Sequence, residues 1–281
     1  MLDAIPFEMP NQIPFVVMQG EAGAVRPVRV LLDTGNGAPF ALIVSPELAA
    51  RAGAAVTGAP ETRSAAALGD AAVLFRPARL PSFTLGPIVM RDLPVGISPA
   101  VAAVARQLNS PLDAILGHRF VAGRTISIDY ARRQVDFEAV AGPAAPAIPF
   151  TLAPGRPLTL VRVTINGRGP FLMVLDSGAS TSLVSPATAA AAAIETSENA
   201  QLGGAGGVAS GGARLGRANI SLGTLSRNGQ PVAVADVFAQ LSAVAGAPID
   251  GVLGADMFGA GRITLDYGTN RLWFDETGNG D

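Results

Sequence analysis

The sequence contains no cysteine, and this excludes several kinds of chemistry at once. Disulfides, thiol nucleophiles and thiolate-bound metals are ruled out over all 281 residues. There is one histidine, His118, so a metal site built from several imidazoles is excluded as well. A Ser-His-Asp triad would depend on that single ring. We therefore expect neither a metal nor a cofactor.

Lysine is also absent, and the remaining basic residues form no cluster. All 20 of them are arginines, they accompany 22 acidic residues, and the net charge is −2. Such scattered charge argues against a nucleic-acid partner. Abundant Ala, Gly, Pro and Arg without Lys indicates a GC-rich bacterial genome. No apolar run reaches the roughly 18 residues that a membrane span needs.

The sequence does contain an internal repeat. Residues 5–35 align without a gap with residues 148–178, so that Ile-Pro-Phe meets Ile-Pro-Phe and LLDTG meets VLDSG. Further downstream, DAILG at 113–117 matches DGVLG at 250–254. A repeat of this length predicts two copies of one structural unit.

Each copy is predicted to be made mostly of strands. Short apolar or alternating segments such as TISIDY and RITLDY are bounded by turn residues, while residues 98–108 and 237–245 favour helices. The Pro- and Ala-rich stretch 139–147 is typical of a linker. We predict an all-β protein with two pseudo-symmetric, closed β-barrel-like lobes, residues 1–140 and 141–281, a few short helices, and a cleft between the lobes.

One acid stands at the same place in each copy, directly after an apolar strand. These acids are Asp33 in LLDTG and Asp176 in VLDSG. If the lobes pair about a pseudo-two-fold axis, equivalent points near the axis come together, and the two carboxyls then share one site. Two adjacent carboxyls hold one proton between them, so one acts as a base and the other as a donor. Such a pair can activate water without a metal or a covalent intermediate.

The residues beside the acids suit that chemistry. Thr34 and Ser177 carry hydroxyls that can bind backbone across the lobe junction, and Gly35 and Gly178 let the chain turn tightly next to the carboxyls. The Ile-Leu-Gly and Val-Leu-Gly triplets of the two copies are expected to pack behind the acid-bearing loops. A lone Asp-[Ser/Thr]-Gly is more often a turn, but here two occur in register.

These motifs, LLDTG and VLDSGAS followed downstream by D-[AG]-[IV]-L-G, resemble those of aspartic proteases. The near-equal lobes are similar to fused, single-chain retropepsin-type domains of bacteria. The resemblance implies an endopeptidase in which Asp33 and Asp176 activate water, supported by Thr34, Gly35, Ser177 and Gly178, and which binds an extended peptide or protein substrate. It also implies a set of substrate-binding residues: Asn36, Ala179, Ser180, Ala66, Gly203, Gly204 and Gly206.

The first copy departs from the family pattern beside its acid. NGAPFALIVSP follows the Asp33 motif where the second copy has ASTSLVSP, which is three residues shorter before the shared Val-Ser-Pro, and Leu42 stands where Ser182 stands. The expected flap of the second lobe, the Gly-rich segment 202–212, is matched in the first by TRSAAALGDAA, which is poor in glycine. A slack loop remains an alternative for the Gly-rich segment. A catalytically inactive peptide-binding or scaffolding protein remains an alternative for the whole chain.

No chemical role is expected for three further ionisable residues. Asp129 and Asp266 are expected to be strand-end residues of the scaffold, and His118 a surface or satisfied imidazole, because it aligns with Ala255.

A monomer is expected, since one chain supplies both acids. The first ten residues lack the charged and apolar regions of a signal peptide. Relatives of this bacterial type are often exported, so the resemblance implies a periplasmic location.

Overall fold

The computed structural model describes residues 4–64, 72–140, 146–200, 203–204, 207–208, 212–259 and 261–276. The strands of the first half are β1 Ile5–Glu8, β2 Val17–Ala22, β3 Val25–Leu32, β4 Leu42–Val44, β5 Ala55–Val56, β6 Glu61–Ser64, β7 Ala72–Leu85, β8 Ile88–Ile97, β9 Ala114–Leu116, β10 Thr125–Asp129 and β11 Gln134–Asp136. Those of the second half are β12 Ile148–Pro149, β13 Thr151–Leu152, β14 Thr159–Ile165, β15 Arg168–Asp176, β16 Leu183–Val184, β17 Thr196–Ala200, β18 Gly203–Gly204, β19 Gly207–Val208, β20 Ala213–Leu222, β21 Leu225–Val234, β22 Gly251–Gly254, β23 Arg262–Asp266 and β24 Arg271–Asp275.

Short helices lie between these strands, as the sequence predicts. They are α1 Pro46–Arg51, α2 Ala100–Leu108, α3 His118–Val121, α4 Pro186–Ala191 and α5 Phe238–Ala245, with 3-10 turns at Pro10–Gln12 and Ala255–Met257. Helices α1 and α4 begin alike, because Ser45 and Ser185 cap them by accepting bonds from Leu48 N and Thr188 N, each 3.0 Å long. In α2, Pro99 is the capping residue, and the Ser98 hydroxyl accepts a bond from Ala100 N.

Each lobe contains a barrel of six strands. In the first lobe the order is β2-β3-β9-β4-β8-β7, and pairing of β7 with β2 closes it. In the second lobe β14-β15-β22-β16-β21-β20 is closed in the same way by β20 and β14. The predicted all-β fold with two equivalent lobes is therefore confirmed. The boundary predicted between residues 140 and 141 stays a prediction, and residues 141–145 lie outside the described residues.

A third sheet joins the lobes, and the repeat did not predict it. Its order is β12-β24-β23-β10-β11-β1, with β10 of one half beside β23 of the other. The two strands run antiparallel, so that Ile126 faces Leu265 and Ile128 faces Ile263. At the end of β10, Asp129 forms an ion pair of 2.9 Å with Arg262. The halves are thus connected by backbone pairing as well as by side chains.

The hydrophobic core follows this arrangement. One large cluster of buried residues extends through both halves. Two smaller, equivalent clusters involve α2 and α5; the first includes Val17, Leu31, Phe75, Val101 and Ile115, and the second Leu160, Val174, Phe238, Leu241 and Val252. Among the described residues, no helix has the length and apolarity to span a membrane.

Candidate active site

Parallel strand pairs bring each acid to the lobe junction. Asp33 follows the last residue of β3, and its backbone N–H donates to Leu116 O at 2.9 Å. Asp176 ends β15 and lies opposite Gly254 in the parallel pairing with β22. The apolar triplets therefore lie beside the acid-bearing strands, as predicted. We call residues 33–37 the Asp33 loop and residues 176–180 the Asp176 loop.

Thr34 and Ser177 tie the two loops together by reciprocal hydrogen bonds. Thr34 N donates to Ser177 Oγ at 3.1 Å, and Ser177 N donates to Thr34 Oγ1 at 2.9 Å. Each hydroxyl also donates to a carbonyl of the opposite lobe, Thr34 to Leu175 at 3.4 Å and Ser177 to Leu32 at 2.9 Å. Both side chains are buried, with 1% and 2% of their surface exposed. The position of one loop thus fixes that of the other.

The two carboxyls adjoin each other around a pair of glycines. A Cβ atom at Gly178 would lie 2.7 Å from an Asp33 oxygen and 3.1 Å from an Asp176 oxygen. A Cβ at Gly35 would lie 2.5 Å from both Asp176 oxygens. Glycine is required at these two positions because any side chain would overlap the carboxyls. The structure therefore brings Asp33, Asp176 and their four predicted supporting residues into one site.

The two acids differ in their affinity for a proton. Burial, together with the charge and the hydrogen bond of Asp176, raises the pKa of Asp33 well above its usual range. Burial also raises the pKa of Asp176, but backbone N–H groups of Gly178 and Gly35 donate to it at 2.7 and 3.2 Å and, with the bond from Asp33, oppose the shift. Backbone hydrogen bonds from Gly35 and Asn36 likewise oppose the shift of the Asp33 pKa. Both pKa values are nevertheless raised, that of Asp33 well above its usual range, so the pair favours holding a proton.

Aromatic residues form an apolar floor close to the pair. Tyr130 and Tyr267 occupy equivalent positions, and burial, followed by the charge of Asp176, raises the pKa of each. The Tyr267 hydroxyl lies 3.4 Å from Thr159 Oγ1, whereas the Tyr130 hydroxyl has no hydrogen-bond partner among the described residues.

The expectation for His118 was wrong. Its side chain is 4% exposed, its ring packs edge-on against Tyr267 at 5.1 Å, and within the described part of the chain its Nδ1 atom has no partner. Its backbone N–H donates to Asn36 O at 2.9 Å, which attaches α3 to the Asp33 loop. Burial lowers the pKa of this imidazole, so the neutral ring is favoured.

The predicted substrate-binding residues fall into two groups. Asn36, Ala179 and Ser180 are partly buried members or continuations of the two loops, next to the carboxyls. Gly203 and Gly204 form β18, which pairs with β19 and lies against α2 of the first lobe. That position is consistent with a flap reaching across the cleft. Ala66 and Gly206 lie outside the described residues, and the binding role of all seven stays a prediction.

Two features near the acids were not foreseen. The three extra residues after Asp33 place Phe40, half-buried, against Gly96 and 6.0 Å from the ring of Phe75 on β7. In the second lobe, Asp256 receives hydrogen bonds from Ser182 and Gln230. The mismatch of Ser182 with Leu42 was a sequence signal for this second feature, but its partners lie too far apart in the chain to be found from it.

The ionisable groups at the centre of this site are the two carboxyls. Among the described residues, no group of three or more His, Cys, Asp or Glu side chains is arranged to hold a metal ion. What the arrangement can do is share a proton between two carboxyls that face a common point. This is the requirement for activating one water molecule by general acid–base catalysis.

Comparisons with known proteins agree with this geometry. The aspartic proteinase from Irpex lacteus has a TM-score of 0.60 at 12% identity, covering 98% of this chain and 97% of its own. Basic 7S globulin from soybean has a TM-score of 0.53 at 12% identity, covering 97% and 94%. No curated protein sequence matches. The model of the aspartyl protease family matches twice, at residues 16–120 and 161–257, once in each lobe. The chain therefore belongs to the aspartyl protease family.

Proposed function

We propose that the protein is an aspartic endopeptidase that hydrolyses peptide bonds with a water molecule held between Asp33 and Asp176. The observation that carries the proposal is the contact of both carboxyls around Gly178, with unequal affinities for one shared proton. Membership of the aspartyl protease family supports the reaction class.

The unequal acids suggest a role for each in the reaction. Asp176, the ionised partner, takes a proton from the water, and the resulting hydroxide adds to the carbonyl carbon of the peptide bond. Asp33 donates a hydrogen bond from its proton to the carbonyl oxygen as negative charge develops there. Asp176 then passes the proton that it took from the water to the amide nitrogen, and the carbon–nitrogen bond breaks to give a carboxylic acid and an amine. The pair carries one proton before and after each turnover, so the pH–rate profile should be bell-shaped.

An extended peptide or protein is the substrate that suits the cleft. The acids lie between two lobes, and β18 of the second lobe approaches α2 of the first. An extended chain placed there would bind by backbone pairing along strands on either side. Which side chains it prefers depends on the cleft walls.

The proposal is tested by incubating the protein with a denatured protein and a peptide library across acidic and neutral pH. We expect cleavage by the parent and its loss in both Asp33→Asn and Asp176→Asn. Asp113→Asn is a suitable control, because Asp113 binds Arg29 N at 2.9 Å as part of the scaffold. A statine-type transition-state mimic should inhibit. Peptide binding without cleavage in the parent would overturn the proposal in favour of an inactive peptide-binding protein.

The state and location of the protein are part of the same proposal. A monomer suffices, because one chain supplies both acids, and export to the bacterial periplasm is the location that the family resemblance favours. Light scattering of the purified chain and fractionation of the producing cells would test these two points. A dimer in solution, or a cytoplasmic protein, would contradict them without affecting the reaction.

A further inference from the structure

A second carboxyl site lies behind the Asp176 loop. Asp256 stands in the 3-10 turn after β22 and is half-buried. It accepts hydrogen bonds from Ser182 N at 3.1 Å, Ser182 Oγ at 2.9 Å and Gln230 Nε2 at 2.8 Å. All three bonds end on its oxygens, so the set of donors matches a carboxylate and not a protonated acid. We call Asp256, Ser182 and Gln230 the Asp256 cluster.

The Asp256 cluster is linked to Asp176 through backbone. Ser182 Oγ accepts a hydrogen bond from Gly254 N at 3.1 Å, and Gly254 is the residue that pairs with Asp176 across the parallel strands. The next residue, Ala255, donates from its backbone N–H to Ala179 O at 2.8 Å. A shift of Asp256 or Ser182 would therefore be transmitted to the loop that carries Asp176.

The first lobe holds its acid without such a cluster. Leu42 replaces Ser182, Leu93 replaces Gln230 and Arg119 replaces Asp256 at the equivalent positions. Leu42 and Leu93 are buried in the apolar core, and Arg119 is exposed. The polar cluster is thus not demanded by the fold, since the other copy of the same fold does without it.

We propose that the carboxylate of Asp256 is a positioning group that holds the Asp176 loop in its reactive geometry through Ser182 and Gly254. This inference rests on the proposed function for its effect on turnover. Catalysis tolerates little displacement of a reacting group, so a small movement of Asp176 is enough to slow the reaction.

The surroundings of Asp256 predict a pH dependence that identifies its positioning role. Burial raises the pKa of Asp256, and hydrogen bonds from Ser182 and Gln230 oppose the shift without cancelling it. Arg227, on the same strand as Gln230, is directed at Met257 O and Glu276. Because the pKa is raised in the folded protein, stability is lost as pH rises through that pKa. The ionised form of Asp256, which orients the Asp176 loop, is therefore also the form that lowers the stability of the folded protein.

The test is the kinetics and stability of Asp256→Asn. Asparagine keeps the shape but turns an N–H toward one of the donors. We expect kcat to fall roughly tenfold above the folded pKa of Asp256 with KM unchanged, and parent and variant to converge at lower pH. The free energy of unfolding of the variant should not fall. Asp250→Asn, which alters a scaffold acid bonded to Leu172 N at 2.7 Å, is the matched control and should leave the pH profile unchanged.

Two results would overturn the inference. One is a variant with the kcat of the parent at every pH. The other is a loss of activity that is matched by a loss of stability, as a merely structural residue would show. Ser182→Ala, which removes the acceptor of Gly254 N but no charge, should lower kcat at every pH.

A measurement that needs no turnover separates this inference from the proposed function. In a protein that cleaves nothing, exchange of the Gly254 amide hydrogen still reports the cluster. Protection should be greater in the parent than in Asp256→Asn above the pKa of Asp256, and equal below it. Equal protection at all pH values would overturn the positioning role even if the protein is a protease.

Discussion

The two lobes have the same backbone fold, but different side chains surround Asp33 and Asp176. In both, a serine caps the helix after the acid, and a scaffold aspartate, Asp113 or Asp250, accepts a bond from a strand N–H. Around the acids the copies diverge: the first lobe has Leu42, Leu93 and Arg119 where the second has the hydrogen-bonded Ser182, Gln230 and Asp256. Duplication therefore conserved the frame, while the groups that set proton affinity and loop position became specialised.

The largest expected difference between the lobes is in the hydrogen bonds that join them. Ser177→Ala removes a hydroxyl that accepts a hydrogen bond from Thr34 N and donates one to Leu32 O. Both backbone groups lose this partner, so we expect a loss of about 3 kcal/mol in the free energy of unfolding. Thr34→Val should cost less, about 2 kcal/mol, because the Thr34 hydroxyl is 3.4 Å from Leu175 O. Denaturant unfolding measures both, and a larger loss for Thr34→Val would contradict the observed asymmetry.

The two acids should differ in how they affect stability. The folded pKa of Asp33 is raised, so its contribution is present below the ordinary Asp pKa of 3.8 and is lost as pH rises through the folded value. Asp33→Asn should therefore increase the free energy of unfolding at neutral pH.

The gain from Asp176→Asn should be smaller, because Gly35 N and Gly178 N favour the ionised form of that acid. Unfolding in denaturant at neutral pH and below pH 3.8 tests the comparison. Neutral-pH stability that falls in Asp33→Asn would show that the proton is assigned to the wrong partner.

The equivalent tyrosines give the smallest contrast. Tyr130→Phe removes a buried hydroxyl without a partner among the described residues, so we expect no loss or a gain of up to about 1 kcal/mol. Tyr267→Phe removes the bond to Thr159 and should cost up to about 1 kcal/mol. Thermal or denaturant unfolding of the two variants side by side measures the difference. Equal effects would indicate that the Tyr130 hydroxyl is satisfied by water.

The sequence predicts the lobes and the pairing of Asp33 with Asp176, because a gapless repeat carries its symmetry into the fold. It does not predict the sheet between the lobes, since β10 and β23 have nearly the same sequence and nothing in either indicates that its partner is the other copy. His118 was misjudged for a related reason: alignment with Ala255 indicates no role, and it cannot show that the ring packs against Tyr267, a residue far along the chain. The Asp256 cluster likewise depends on three strands or turns that meet only after folding.

The sheet between the lobes also bears on what would happen to half of this protein. A fragment ending near the linker would leave β10 without β23, and a row of backbone N–H and C=O groups would be open to any strand that arrives. The most similar strand available would be β10 of another copy, in the antiparallel arrangement that β23 now adopts. Separated first halves should consequently self-associate, with β10 of one copy pairing with β10 of another.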